Sequence, residues 1–225
     1  MERTAEILDR LERALPEARI ALAFESDLEL LVSVILSAQS TDARVNLVTP
    51  ALFQRYPHAA AYAAARPEDL YPYIRTVGLY RNKAKSIVGA MRAIAAEHGG
   101  RVPRQRAALE ALPGVGSKTA GVVLIHLGAE AAFPVDTHVG RVARRLGLTR
   151  ETDPDRVEER LRVLVPRDRW AKGHQLFVWH GRRTCYARKP ACATCVLLRL
   201  CPRKGLPALP RAPDEAKAPA RGGPS

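Results

Sequence analysis

The first 184 of the 225 residues contain no cysteine. No apolar run anywhere reaches the roughly eighteen residues of a membrane-crossing helix. A transmembrane reading is therefore excluded, and the 47% of hydrophobic residues are expected to build a core. The opening Met1-Glu2-Arg3-Thr4-Ala5-Glu6 lacks the apolar stretch and small-residue cleavage site of a secretory leader. A cytoplasmic, nucleoid-associated location is the expectation. Strand signals are scarce, since few segments alternate with period two, and no repeat longer than a helix pair is evident. The length suits one domain or two small ones packed together.

Acidic residues are missing from one segment. Between Arg169 and Arg211 there are ten Lys and Arg and no Asp or Glu. The whole chain carries 36 basic and 23 acidic residues, a net charge of +13 and a pI near 10.2. A genome that favours Arg would enrich the whole chain, but it would not strip acids from one stretch. The concentration points to a polyanion, and nucleic acid is the usual one.

What is present reads as helices with short punctuation. Helical spacing of apolar residues predicts helices over 4–15, 27–38, 59–64, 67–75, 82–97, 104–111, 117–127, 137–146, 154–164 and 171–182. Residues 27–38 are apolar on almost every face, as in a buried central helix. Thr41-Asp42 resembles a helix N-terminus, and Pro50 is expected to interrupt the helix that follows. Gly99-Gly100 ends the helix at 82–97. From Leu206 the chain turns to Pro, Ala, Arg and Gly, which predicts a disordered tail over 206–225.

The four cysteines, Cys185, Cys192, Cys195 and Cys201, follow a Cys-x6-Cys-x2-Cys-x5-Cys pattern. Disulfides are not expected in a cytosolic protein, so four clustered thiols indicate a metal centre. Zinc sites usually show two short Cys pairs, whereas irregular spacing around four thiolates suits a [4Fe–4S] cube. Between the first two cysteines, Arg188 and Lys189 would be held out towards a phosphate backbone.

Residues 109–124 read LEALPGVGSKTAGVVL. Gly114 and Gly116 permit a tight turn between two helices and a close approach by another backbone. The amides of Gly114, Val115, Gly116 and Ser117, at the start of a new helix, would hold phosphate without reading sequence. An ordinary helix connection is the plain alternative. The full string resembles the helix–hairpin–helix of DNA-repair glycosylases, and LPGVGSKTA in particular that of the endonuclease III family. Lys118 lies in the first helical turn, where the macrodipole disfavours a cation. A neutral amine is a nucleophile; a charged one is a phosphate contact. By the resemblance, Lys118 is the family's nucleophile.

Residues 133–142 read FPVDTHVGRV. Asp136 precedes a helix and so reads as its cap, but the resemblance makes it the catalytic aspartate. An ionised carboxylate there would stabilise positive charge developing at a sugar C1′. His138 is expected only to support it. The resemblance also implies that the four cysteines bind a [4Fe–4S] cluster. It further matches Gln39, in LSAQSTD, and Leu79, in VGLYRNKA, to residues that fill the gap left by an extruded nucleotide. A solvent-exposed Gln and a core Leu are the plain readings. Gly121 and Gly140 depart from the family pattern, which leaves Lys118 and Asp136 intact but puts substrate preference in doubt.

Together these imply an all-α helix–hairpin–helix glycosylase. A helical barrel domain is expected over 20–130, and an iron–sulfur domain over 1–19 plus 131–205. The implied enzyme is a monomer that acts on double-stranded DNA containing damaged bases or abasic sites. It would remove oxidised pyrimidines of the thymine glycol type and cleave the strand by β-elimination. Residues 31–37 contain no acid, unlike the corresponding helix of adenine glycosylases. A photodimer or mismatch glycosylase shares most of these motifs. A non-catalytic helix–hairpin–helix binder would explain the charge but not Lys118 together with Asp136.

Overall fold

A computed structural model describes residues 2–207. Residues 208–225, most of the expected tail, lie outside the described residues. Among those described there are helices and turns and no strand. Eleven α-helices follow one another: α1 (Glu2–Ala14), α2 (Asp27–Ser37), α3 (Asp42–Arg55), α4 (Ala59–Ala64), α5 (Pro67–Ile74), α6 (Tyr80–Glu97), α7 (Arg106–Glu110), α8 (Ser117–His126), α9 (Thr137–Arg145), α10 (Pro154–Leu164) and α11 (Trp170–Arg183). Short 3₁₀ turns at Arg167–Arg169, Cys192–Thr194 and Leu198–Leu200 complete the order.

Local chemistry sets the helix starts. The Ser26 hydroxyl accepts from the Glu29 amide and opens α2, and the Thr41 hydroxyl accepts from the Arg44 amide and opens α3. Asp153 caps α10, with Pro154 in its first turn. Gly99 and Gly100 both take positive φ and close α6, the Gly100 amide donating back to Ile94.

Pro50 does not interrupt α3, contrary to expectation. The ring removes one amide, but Val45, Thr49 and Leu52 are buried on the core face while Pro50 faces solvent. Asn46 adds an anchor, donating to the Ala21 carbonyl and accepting from the Ala23 amide. Burial of one face therefore outweighs the single hydrogen bond lost.

The buried side chains form two cores. One runs from Leu22 to Leu124, with α2 at its centre against α3, α6 and α8. Leu30, Leu31, Val32 and Leu36 are buried there, which explains why α2 has no polar face. The other core joins Ile7, Leu8 and Leu11 of α1 to Phe133, α9, α10 and α11. Gly173 lets α11 approach the Phe133 ring, which a Cβ there would meet at 2.9 Å. No helix among the described residues is long and apolar enough to cross a membrane.

Candidate active site and cysteine loop

The hairpin joins α7 to α8. Gly114 takes a φ of 77°, and a Cβ there would lie 2.4 Å from that of Ser86 on α6. Only glycine fits this position. Pro113 packs against Gly89 one turn further along α6, so small residues on α6 seat the hairpin. Val115 is the inward-facing member: its side chain is buried and its amide donates to the Leu112 carbonyl. Gly114, Gly116 and Ser117 are exposed. Among the described residues, the amides of Gly116, Ser117 and Lys118 donate to no protein acceptor. The hairpin thus presents open donors at a helix N-terminus.

Lys118 is the second residue of α8 and is exposed. Asp136 is the N-cap of α9, its Oδ1 accepting from the Val139 amide at 2.7 Å. Both line one cleft of about 540 Å³ between the two cores, together with Gln39, His138, His174 and Gln175. His174 is buried, and its Nδ1–H donates to the Pro134 carbonyl at 2.8 Å. Burial pulls its pKa down to about 4 against the opposing charge of Asp136, so the ring is neutral. His138 is also lowered, first by burial. Its Nδ1 accepts from Arg141, and it packs on Gly181 of α11, where a Cβ would lie 2.9 Å from its own. His138 therefore joins α9 to α11 behind Asp136.

Gly121 is buried, and a Cβ there would come within 3.0 Å of Pro134. The missing side chain lets Pro134 pack directly on α8. Gly140 is likewise buried, beside Val135 and Arg144.

Gln39 and Leu79 sit at the tips of the α2–α3 and α5–α6 loops. Both are exposed, Leu79 by 55%, and both take positive φ, 55° and 58°. The structure brings these tips together: the Gly78 amide donates to the Ser40 hydroxyl at 3.2 Å.

The four cysteines line one small pocket under α9 and α11, with Val142, His180 and Leu197. Among the described residues, no three His, Cys, Asp or Glu are grouped so as to hold a metal ion. Burial pushes the Cys195 and Cys201 thiols up. Arg188 and Lys189 project from the intervening loop and are exposed.

The sequence reading gave no role to two arginines of α9. Arg145 donates to the Cys185 sulfur at 3.3 Å and to the carbonyls of Tyr186 and Ala187 at 2.6 and 2.9 Å. Arg141, one turn earlier, donates to the carbonyls of Cys185 and Gly181. Their i, i+4 spacing on a short helix was the available signal. Arg182 and Asp42 form an ion pair across the cleft, joining α11 to α3.

Residues 32–167 match the model of the HhH-GPD superfamily base excision DNA repair protein. Endonuclease III of Synechocystis sp. is 48% identical over 202 residues, 89% of this chain and 92% of that protein. Endonuclease III of Escherichia coli strain K12 is 43% identical over 199 residues, 88% of this chain and 94% of its own. Among solved structures, a trapped endonuclease III–DNA covalent intermediate superposes with a TM-score of 0.86 at 40% identity. It covers 90% of this chain and 95% of that one. A thermostable thymine-DNA glycosylase matches at a TM-score of 0.80 and 23% identity, which speaks for the fold alone. A helical chain with this hairpin, this cleft and these relatives belongs to the HhH-GPD superfamily of base excision DNA repair proteins.

Proposed function

We propose that this chain removes oxidised pyrimidines of the thymine glycol type from duplex DNA and then cleaves the strand 3′ to the abasic site. A base excision DNA glycosylase with abasic-site lyase activity is the class its family supports. The observation that carries the reading is the meeting of Lys118 and Asp136, from two different helices, in one cleft.

The Lys118 amine attacks C1′ of the extruded nucleotide. The new C–N bond forms as the glycosidic bond breaks, and the departing base takes that electron pair and a proton. Asp136, held by its cap bond, faces the positive charge that develops at C1′ and accepts a proton from the lysine. The sugar ring then opens: the C1′–O4′ bond breaks, O4′ takes a proton, and the C1′–N bond becomes a protonated Schiff base. That group acidifies C2′, whose proton is lost as the C3′–O bond breaks and the 3′ phosphate leaves. Preformed abasic sites enter at the second stage and are also cleaved. The open amides of the hairpin hold the phosphate backbone, joined by Arg188 and Lys189 of the cysteine loop. Gln39 faces the orphaned base and Leu79 fills the vacated stack. His138 supports Asp136 through packing.

The chemistry of the donor set fits a [4Fe–4S] cluster: four cysteines line one pocket, with an arginine donating to one sulfur. Such a cluster would hold the basic loop in shape. The two cores support a division into a barrel domain over 20–130 and a cluster domain over 1–19 plus 131–205. The protein acts as a monomer, in the cytoplasm and on the nucleoid.

Borohydride trapping on a duplex with one thymine glycol, with Lys118→Ala as control, tests this. A covalent adduct formed only by the unsubstituted protein is expected. Trapping on an abasic duplex alone would keep the lyase and discard the lesion, opening the photodimer and mismatch alternatives. No trapping on either, with tight DNA binding intact, would leave a monofunctional glycosylase or a non-catalytic binder.

A further inference from the structure

Lys83 is 5% exposed, and it forms no ion pair among the described residues. A buried ammonium without a carboxylate is costly and needs other compensation. Its Nζ donates to the Leu36 carbonyl at 2.8 Å and to the Ser40 hydroxyl at 3.1 Å. Leu36 lies in the last turn of α2, where free carbonyls and the negative end of the helix dipole accept a cation. Lys83 itself rises from the first turns of α6, four residues after Leu79. Its side chain thus bridges the end of α2 to the start of α6.

Ser40 completes the bridge. Its hydroxyl accepts from both Lys83 and the Gly78 amide, and its own amide donates to the Ser37 carbonyl. Gly78 allows the approach, since a Cβ there would lie 3.1 Å from the Gln39 carbonyl. Each immediate neighbour of this junction is a tip residue in the left-handed region, Gln39 before Ser40 and Leu79 after Gly78. Left-handed backbone is unfavourable for a side-chain-bearing residue and persists only where its surroundings hold it. A tip that relaxed would turn its side chain away from the duplex.

We propose that Lys83, acting through the Ser40 hydroxyl, is a positioning residue that locks the two loop tips into one rigid double wedge. Gln39 and Leu79 then enter the base stack together, because neither tip can withdraw without breaking the shared hydroxyl. The inference rests on the wedge role proposed above for these two residues.

A duplex carrying a tetrahydrofuran abasic analogue opposite 2-aminopurine provides the test. At saturating protein, a rise in fluorescence reports unstacking of the opposing base, independently of catalysis and affinity. The unsubstituted protein and Ser40→Thr, which keeps the hydroxyl, should give the full rise. Ser40→Ala should shift the open-to-closed ratio about fivefold towards the stacked state, the effect of one lost hydrogen bond. Lys83→Met should match it, provided circular dichroism shows a folded protein; Ser40→Ala carries the test if it does not. Ser40→Ala and Leu79→Ala combined should cost less than the sum of the two alone, because the clamp acts in part through Leu79. A full rise in Ser40→Ala with a lost rise in Leu79→Ala overturns the clamp and leaves the wedge. A full rise in Leu79→Ala overturns the wedge itself. Equal loss in Ser40→Thr and Ser40→Ala overturns the part assigned to the hydroxyl.

Discussion

Asp136 Oδ1 accepts a 2.7 Å hydrogen bond from the amide of Val139, so the carboxylate that faces the cleft is also the cap that starts α9. One side chain holds two jobs, which substitution can separate. Only one carboxylate oxygen is taken by that bond, and the cap fixes the orientation of the other.

Asp136→Asn keeps an oxygen for the cap and loses the charge. Its melting temperature should stay close to that of the unsubstituted protein, while base excision falls about 10²-fold or more. Asp136→Ala should lose the same activity and also about 1 kcal/mol of stability. Single-turnover kinetics and thermal melts of the pair decide this. Unchanged excision in Asp136→Asn would remove the aspartate from the chemistry.

The two hairpin glycines should respond differently. Gly114→Ala puts a Cβ onto Ser86 at positive φ and should destabilise the protein by about 1–3 kcal/mol. Gly116 has a φ of −90° and open space around its Cβ position, so Gly116→Ala should leave stability nearly unchanged. Its cost should fall on DNA affinity, through the close approach of a phosphate. Denaturant titrations and binding at fixed salt read the two effects. Equal destabilisation by both substitutions would contradict the hairpin packing.

Arg145 holds the cysteine loop by donating to the Cys185 sulfur and to the carbonyls of Tyr186 and Ala187. Arg145→Met should speed the loss of visible absorbance under a chelator by about 10-fold to 100-fold. Arg145→Lys should restore little of this, because one ammonium cannot span the fork of a guanidinium. Cys195→Ala should lose both the absorbance and DNA affinity. A loop that keeps its absorbance and binding without Cys195 would exclude the cluster.

His174 predicts an acid-side loss of stability. Its folded pKa is pulled to about 4 by burial, against 6.5 for the free side chain. Between these values the unfolded chain binds the proton and the folded one does not. The stability from the neutral ring is complete above about pH 6.5 and is lost as pH falls towards 4. His174→Gln retains a donor for the Pro134 carbonyl but cannot titrate. Its melting temperature should fall less steeply over that window. Identical slopes for the two proteins would sink the assignment.

The sequence alone determined the elements of this protein. Helix positions followed from the apolar period, and the start of α3 from Thr41. The LPGVGSKTA and PVDTHVGRV strings and the cysteine spacing pointed to the family, because each motif is contained within a short stretch of chain. Pro50 was misread because local propensity carries no information about the burial of Val45, Thr49 and Leu52. Relationships between distant segments were left to the tertiary structure. Ser86 and Gly89 on α6 dictate the glycine at 114 and seat Pro113; Gly181 makes room for His138; Arg145 reaches the cysteine loop. The same holds for Lys83. Packing buries it between α2 and α6, where a hydroxyl from one loop and a carbonyl from a helix end receive it. Side-chain type and spacing are local facts; what each side chain meets depends on which helices fold against one another.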